Sequence, residues 1–372
     1  MNFLFFAGGS YVGGMEIVVQ GLMGALNRLG HRTMAIVSGW NNGDYPARLR
    51  DQDISFEEVR LGRLYRSKPL WTLDSLRHLP SAALALRRIA REFRPDLIVY
   101  PDVQLLLLGS LILPRSKSIF YLHNRPVGLL ASRMGAILNR RIGRVVCVSH
   151  YVARYLEHSS LPPDKIVVVQ NGIESPSVLP GRTQSEAIRV GIVGQVIPRK
   201  EHLLLIEALG RVAVRSPRLM IKLRIIGKKE GRYAADVASL VEKSNLQAIV
   251  EWVGFKTVRD DIYCDLDIVV AVARDEPFGT TVLEAGAYGL PVVAVRAGGF
   301  PEMVVDAKTG LLCPAGDASA LADALENLIT NASMRNQLGL AARRHIAQNF
   351  SLDKMAKNFA AAVDNELARM SK

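Results

Sequence analysis

Cysteine is scarce in this chain. Three occur in 372 residues: Cys147, Cys264 and Cys313. They are odd in number and widely spaced, and none has metal-ligand spacing. A disulfide framework and a cysteine-held metal are therefore excluded as organising features. Long apolar runs are also missing. The longest, "LLLLGSLIL" at 105–113, has nine residues, far short of the roughly 20 needed to cross a bilayer. The first residues, "MNFLFFAGG", have neither a basic region nor a small-residue cleavage site. They read as a β-strand rather than a signal peptide. There is no low-complexity tract, no repeat at a solenoid period and no cluster of metal ligands. A soluble protein is expected, located in the cytoplasm or peripherally at the inner face of the plasma membrane.

Positive charge is in excess. The net charge is +12, and residues 1–180 carry 22 Lys and Arg against 13 Asp and Glu. A basic first half suggests an anionic partner such as phosphate or an anionic membrane surface. No recognised nucleic-acid module accompanies the charge, so nucleic acid is not expected as a partner.

Short apolar runs alternate with longer amphipathic ones. Strands are predicted at 2–8, 33–38, 96–100, 118–123, 145–149 and 165–171. A polar, Pro- and Ser-containing stretch, "ESPSVLPGRTQSEA" at 174–187, reads as a linker. The pattern then restarts, with strands predicted at 188–194, 220–227, 248–254, 267–273 and 291–295. Strands alternating with helices imply parallel sheets in doubly wound layers. The expectation is an α/β chain of two domains: 1–176, then 177–350. A final amphipathic helix over 351–372 is expected to pack back on the first domain, with Leu352, Met355, Phe359, Val363 and Leu367 on its apolar stripe.

The stretch "EPFGTTVLEA" from 276 places two glutamates eight residues apart, just after a run that reads as a buried strand. Carboxylates are costly to bury. Thr280 or Thr281 is a natural helix N-cap after Gly279. Glu276 then sits in the loop and Glu284 within the first two turns, both at the carboxyl edge of a sheet. A helix start offers free amides suited to phosphate, and carboxylates suit hydroxyl groups. That combination fits a phosphorylated sugar. Glu284 as a simple partner of the helix dipole is an equal alternative on spacing alone.

With these residues in view the chain resembles the retaining glycosyltransferases of family 4, which have the two-domain GT-B fold. "EPFGTTVLEAGAYGLPVVAV" resembles the family's paired-glutamate signature. "VGGMEIVVQGLMGALNRLGH" at 12–31, "VSHYV", "VVQNGIE", "VGQVIPRKE" at 193–201 and "AGGFPEMVVDAKTGLLCPAGD" at 297–317 resemble further family segments in order. The resemblance implies two Rossmann-like domains facing a cleft, with a nucleotide-sugar donor held by the second. It implies that Glu276 binds donor-sugar hydroxyls, Glu284 the ribose, and Lys200 the diphosphate. It also implies contacts from the backbone around Phe278, Gly279, Thr280 and Thr281, from the loop at Gly194, from Gly13 and Gly14, and from His123. No cofactor and no metal are implied. A non-catalytic sugar-binding homologue, or another enzyme of this fold such as a nucleotide-sugar epimerase, is the alternative.

Two departures from the family pattern stand out. Gln195 replaces the usual arginine after Gly194, while Arg199 stands beside Lys200. Glu201 stands where glycine is common. Finally, residues 60–94 hold nine Lys and Arg against two acids, interleaved with Tyr65 and Trp71. A saccharide or lipid-linked saccharide acceptor at an anionic membrane is the expectation there.

Overall fold

The computed structural model describes residues 1–7, 12–61, 69–125, 129–157, 159–179, 181 and 185–370. The chain divides after Gly172 and again after Ser351. Residues 1–172 and 352–372 form one compact unit, and 173–351 form the other. The division falls a few residues before the boundary read from the sequence. Ile173 already belongs to the second unit, because its amide donates to the Phe350 carbonyl at 2.8 Å.

Among the described residues, the first unit is built on a seven-stranded sheet. Its strands are β1 (Asn2–Phe6), β2 (Arg32–Ser38), β3 (Ser55–Val59), β4 (Leu97–Tyr100), β5 (Ser118–Leu122), β6 (Arg144–Cys147) and β7 (Ile166–Val168). They lie in the order β3-β2-β1-β4-β5-β6-β7, and every pairing is parallel. Helices cover both faces, so the strands are buried apolar runs rather than alternating ones. The last helix, Leu352–Met370, packs on this sheet. Phe359 lies 6.1 Å from Phe3, 6.2 Å from Phe5 and 5.5 Å from Tyr121, measured between ring centroids. The helix Gly14–Arg28 supports it from the side. A side chain at Gly21 would place its Cβ 3.0 Å from Leu352, so the absence of one lets the two helices approach closely.

The second unit repeats the plan. Its strands are β8 (Ile188–Val193), β9 (Ile221–Ile226), β10 (Val250–Trp252), β11 (Ile268–Ala271), β12 (Val292–Val295) and β13 (Gly310–Cys313). Their order is β10-β9-β8-β11-β12-β13, again all parallel. Both orders are doubly wound, with the direction of winding reversing between β1 and β4 and between β8 and β11. A crevice opens at the carboxyl ends of the strands at such a reversal, and ligands of open α/β sheets bind there. No helix among the described residues is long and apolar enough to cross a membrane.

Candidate active site

The loops after β8 and β11 flank the reversal in the second unit. The first leaves β8 at Gly194, whose φ is +142°, and runs beside the end of β9. A Cβ on Gly227 would lie 2.0 Å from the Gly194 carbonyl oxygen, so only glycine fits there. The chain then makes a single 3₁₀ turn, Pro198–Lys200, and the Lys200 amide closes on the Ile197 carbonyl at 3.0 Å. Gln195 is exposed on this loop.

Glu201 ends the turn in the left-handed conformation, with φ 51° and ψ 42°. That geometry costs a residue with a side chain about 1–2 kcal/mol, which explains why glycine suits this position. The Glu201 carboxylate accepts from Arg274 Nε at 2.8 Å. This ion pair offsets part of the backbone cost.

The loop after β11 carries Glu276. Its carbonyl accepts from the Gly299 amide at 2.8 Å, and a Cβ on Gly298 would lie 2.6 Å from that same oxygen. The segment after β12 therefore braces the backbone of Glu276. The Glu276 side chain is 13 % exposed, and its Oε2 accepts from Lys200 Nζ at 2.8 Å and from Arg199 Nη1 at 3.2 Å. Two cations thus converge on one carboxylate oxygen, and the three groups together carry a net +1. In a partly desolvated loop that surplus attracts an anion more strongly than it would in water.

The helix Thr280–Ala287 follows. Sequence propensity places its cap at Thr280 or Thr281, but the cap is Gly279, with φ +97°. A Cβ there would lie 2.6 Å from the Phe300 ring, so neither threonine could take that place. Thr280 and Thr281 become the first two helical residues, and both are half-buried. Phe278 points its ring into the core against Phe350, at 6.1 Å. The side chain is therefore not offered to a ligand.

Glu284 belongs to a different set of contacts. Its Oε1 accepts from Arg259 Nε at 3.2 Å, and its Oε2 from the Tyr263 hydroxyl at 2.6 Å. Burial and the neighbouring carboxylate push the Tyr263 phenol well above its ordinary range, so it remains a donor. Arg259, Tyr263 and Arg274 were not singled out from the sequence. Arg259 and Tyr263 are four residues apart on the short helix Arg259–Tyr263, which puts both on one face. That spacing was the available signal.

The acids Asp265 and Asp267 flank a single residue, Leu266, a spacing associated with metal binding. They sit at the amino end of β11, away from the carboxyl-end loops. Arg189 engages both, at 3.4 Å and 3.1 Å.

Gly13, Gly14 and His123 lie in the first unit. The Gly13 amide donates to Glu16 Oε2 at 3.0 Å, so the start of the helix Gly14–Arg28 already carries its own acid. A Cβ on Gly14 would meet nothing within 4 Å. His123 follows β5 and is buried, with its ring 4.1 Å from Tyr121 and its Nε2 without a partner among the described residues. Burial holds its pKa down at about 3.

In the second unit, burial and the Lys200 charge hold buried His202 down at about 4. Both histidines are thus neutral in the folded state between these values and their ordinary 6.5. The unfolded chain binds protons in that window and the folded chain does not. The stability contributed by each is complete above 6.5 and is lost as pH falls toward 4 for His202 and toward 3 for His123. The slope is about 1.4 kcal/mol per pH unit for each group. Thermal unfolding should therefore move to lower temperature between pH 7 and pH 5, with a smaller shift in His202→Gln. An unchanged midpoint across that range would contradict the burial of both rings.

The family profile described as "Glycosyl transferases group 1" matches residues 181–345, and that described as "Glycosyltransferase Family 4" matches residues 12–175. The chain belongs to glycosyltransferase family 4, with the GT-B fold. It is 32 % identical over 213 residues to a D-inositol 3-phosphate glycosyltransferase of Corynebacterium diphtheriae, covering 53 % of this chain and 49 % of that one. It is 31 % identical over 208 residues to the same enzyme of Rhodococcus erythropolis, covering 52 % and 47 %. The matches span about half the length of these curated relatives. Among solved structures, HepE of Anabaena in complex with UDP and glucose superposes with a TM-score of 0.79 at 18 % identity, covering 98 % of this chain and all of that one. A glycosyltransferase of Rickettsia africae gives 0.77 at 21 % identity, covering 98 % of each. At these identities the structural likeness concerns the fold.

Proposed function

We propose that this family 4 member transfers a sugar, with retention of configuration, from a nucleoside-diphosphate sugar to a saccharide acceptor, free or lipid-linked, in the synthesis of cell-surface polysaccharide or glycolipid. The observation that carries the reading is the meeting of Lys200 and Arg199 on Glu276 at the winding reversal. A donor diphosphate is doubly charged or nearly so. It draws Lys200 toward itself, while Arg199 remains to neutralise Glu276. Arg199 thereby releases Lys200 to the diphosphate, while Gln195 carries no charge to add there. Glu276 then accepts from hydroxyls of the donor sugar, and Glu284 from those of the ribose. The crystal complex of HepE with UDP and glucose supports a nucleotide-sugar donor.

In the reaction the C1–O bond to the β-phosphate breaks, and a bond from C1 to the acceptor oxygen forms on the same face. The departing β-phosphate takes the acceptor proton. Lys200 and the amides at the start of the Thr280–Ala287 helix stabilise its growing charge. No metal is needed in this scheme. Consumption of one donor from a panel of UDP-, GDP- and ADP-sugars should therefore persist in EDTA. Complete loss in EDTA, restored by Mg²⁺ or Mn²⁺, would count against it.

An anionic membrane is the proposed setting of the acceptor. The helix Pro69–Phe93 exposes Leu70, Leu73, Leu76 and Leu84, with exposed Arg77 between Leu76 and Leu84 and exposed Arg87 and Arg91 in the turns that follow. Within the basic stretch 60–94, Arg63, Tyr65, Arg66 and Lys68 lie outside the described residues. Each Arg near an anionic surface contributes about 1 kcal/mol. The Arg77→Gln, Arg87→Gln, Arg91→Gln triple variant should thus bind anionic vesicles roughly a hundredfold more weakly at low salt. Equal binding of the unmodified protein to neutral and anionic vesicles would point to a soluble acceptor.

A further inference from the structure

We propose that Tyr263 and Arg259 are positioning residues that fix the Glu284 carboxylate for the two adjacent hydroxyls of a ribose. The inference rests on the reading that Glu284 meets the donor's ribose. It extends that reading to two residues outside the paired-glutamate signature.

The geometry is specific. A carboxylate has about four acceptor positions on its two oxygens. Tyr263 occupies one on Oε2 and Arg259 one on Oε1. Each oxygen keeps one acceptor position. Two hydroxyls on neighbouring carbons, as in a ribose 2′,3′-diol, can be met by two oxygens held in one plane. A freely rotating glutamate would have to be ordered when the ligand arrives, and that ordering weakens binding.

The holding groups are themselves held. Tyr263 is fully buried. Its ring packs against Tyr288 at 5.3 Å between centroids. The Tyr288 hydroxyl in turn donates to Asp260, on the same short helix as Arg259 and Tyr263. Two hydroxyl–carboxylate bonds therefore join the Arg259–Tyr263 helix to the Thr280–Ala287 helix and its C-cap residue Tyr288. One ties Tyr263 to Glu284, and the other ties Tyr288 to Asp260. The Glu284 side chain is 18 % exposed, so it is reachable while its partners stay anchored.

A purely structural clamp would also use these contacts, and the two roles separate in ligand discrimination. The test is calorimetric titration of the full chain with UDP, GDP and ADP, followed by the 2′-deoxy form of whichever binds most tightly. The unmodified protein should prefer the ribonucleotide by roughly ten- to a hundredfold, the range of a hydrogen bond to a charged group. Tyr263→Phe should weaken ribonucleotide binding about tenfold while leaving the 2′-deoxy form within about twofold. Arg259→Gln, at a partly exposed site, should do the same. Glu284→Gln should abolish the preference.

A preference retained in both Tyr263→Phe and Arg259→Gln, but lost in Glu284→Gln, overturns the positioning role and leaves the ribose reading standing. A preference retained in Glu284→Gln, or no binding of any of the three nucleotides, overturns the ribose reading and the inference with it.

Discussion

Glu276→Ala should reduce turnover by at least a hundredfold without weakening the binding of a nucleoside diphosphate. The reasoning is partly electrostatic. The carboxylate is shared by Lys200 at 2.8 Å and Arg199 at 3.2 Å. Removing it raises the charge of the group from a net +1 to +2, and a diphosphate then meets two unengaged cations. Binding of the nucleotide portion should hold steady or improve. What is lost is the contact to the donor sugar near its reacting carbon. Misplacement of a reacting group by about 1 Å can cost a hundredfold. The defect should therefore appear in kcat, with no trapped glycosyl-enzyme. Calorimetry and steady-state kinetics on the same preparation separate the two quantities. A loss confined to nucleotide affinity, with kcat intact, would remove Glu276 from the reacting centre.

Lys200→Met should lower kcat by a factor of roughly 10²–10³, the range for removing one group that stabilises developing negative charge. Donor affinity should also weaken. Stability should change little, although a partly buried carboxylate loses a cation. Truncating one member of a buried pair is costly when the other is left uncompensated. Here Arg199 remains on the same Glu276 oxygen. The melting temperature should fall by no more than a few degrees, whereas the Lys200→Met, Arg199→Met double variant strands Glu276 and should fall further. A Lys200→Met protein with near-normal turnover would remove the lysine from the reaction.

Much of the fold was legible because parallel strands buried on both faces leave continuous apolar runs. "DIVVAVA" and "PVVAV" announce β11 and β12 in this way. β3 and β13 escaped notice for an equally physical reason. β3 reads SFEEV and lies at an edge of its sheet, with only Val59 buried. β13 spans four residues, GLLC, also at an edge, with its two leucines half-buried. An edge strand needs little apolar surface, so pattern alone passes over it.

The site divides along the same line. Glu276 could be singled out because it follows a clear strand, and Lys200 because its loop resembles a family segment. Their contact joins residues 76 apart in sequence, and no local spacing predicts it. The same is true of Tyr263 and Glu284. The odd residue at 201 was visible as an anomaly. Its left-handed backbone and its Arg274 partner required coordinates. The helix start at Gly279 differs from the threonine cap because a glycine was needed against Phe300, a contact made by the folded chain alone.

Sugar transfer with retention at this centre is tested most directly by proton NMR of the purified protein mixed with α-linked UDP-, GDP- and ADP-sugars. The earliest spectra are read before free sugar equilibrates between anomers. One donor should be consumed, slowly with water as the acceptor, and its sugar should first appear with the α configuration. Glu276→Ala run in parallel should show no comparable signal. A product first appearing as the β anomer, or a panel in which no donor is consumed, would contradict retaining transfer from a nucleotide sugar.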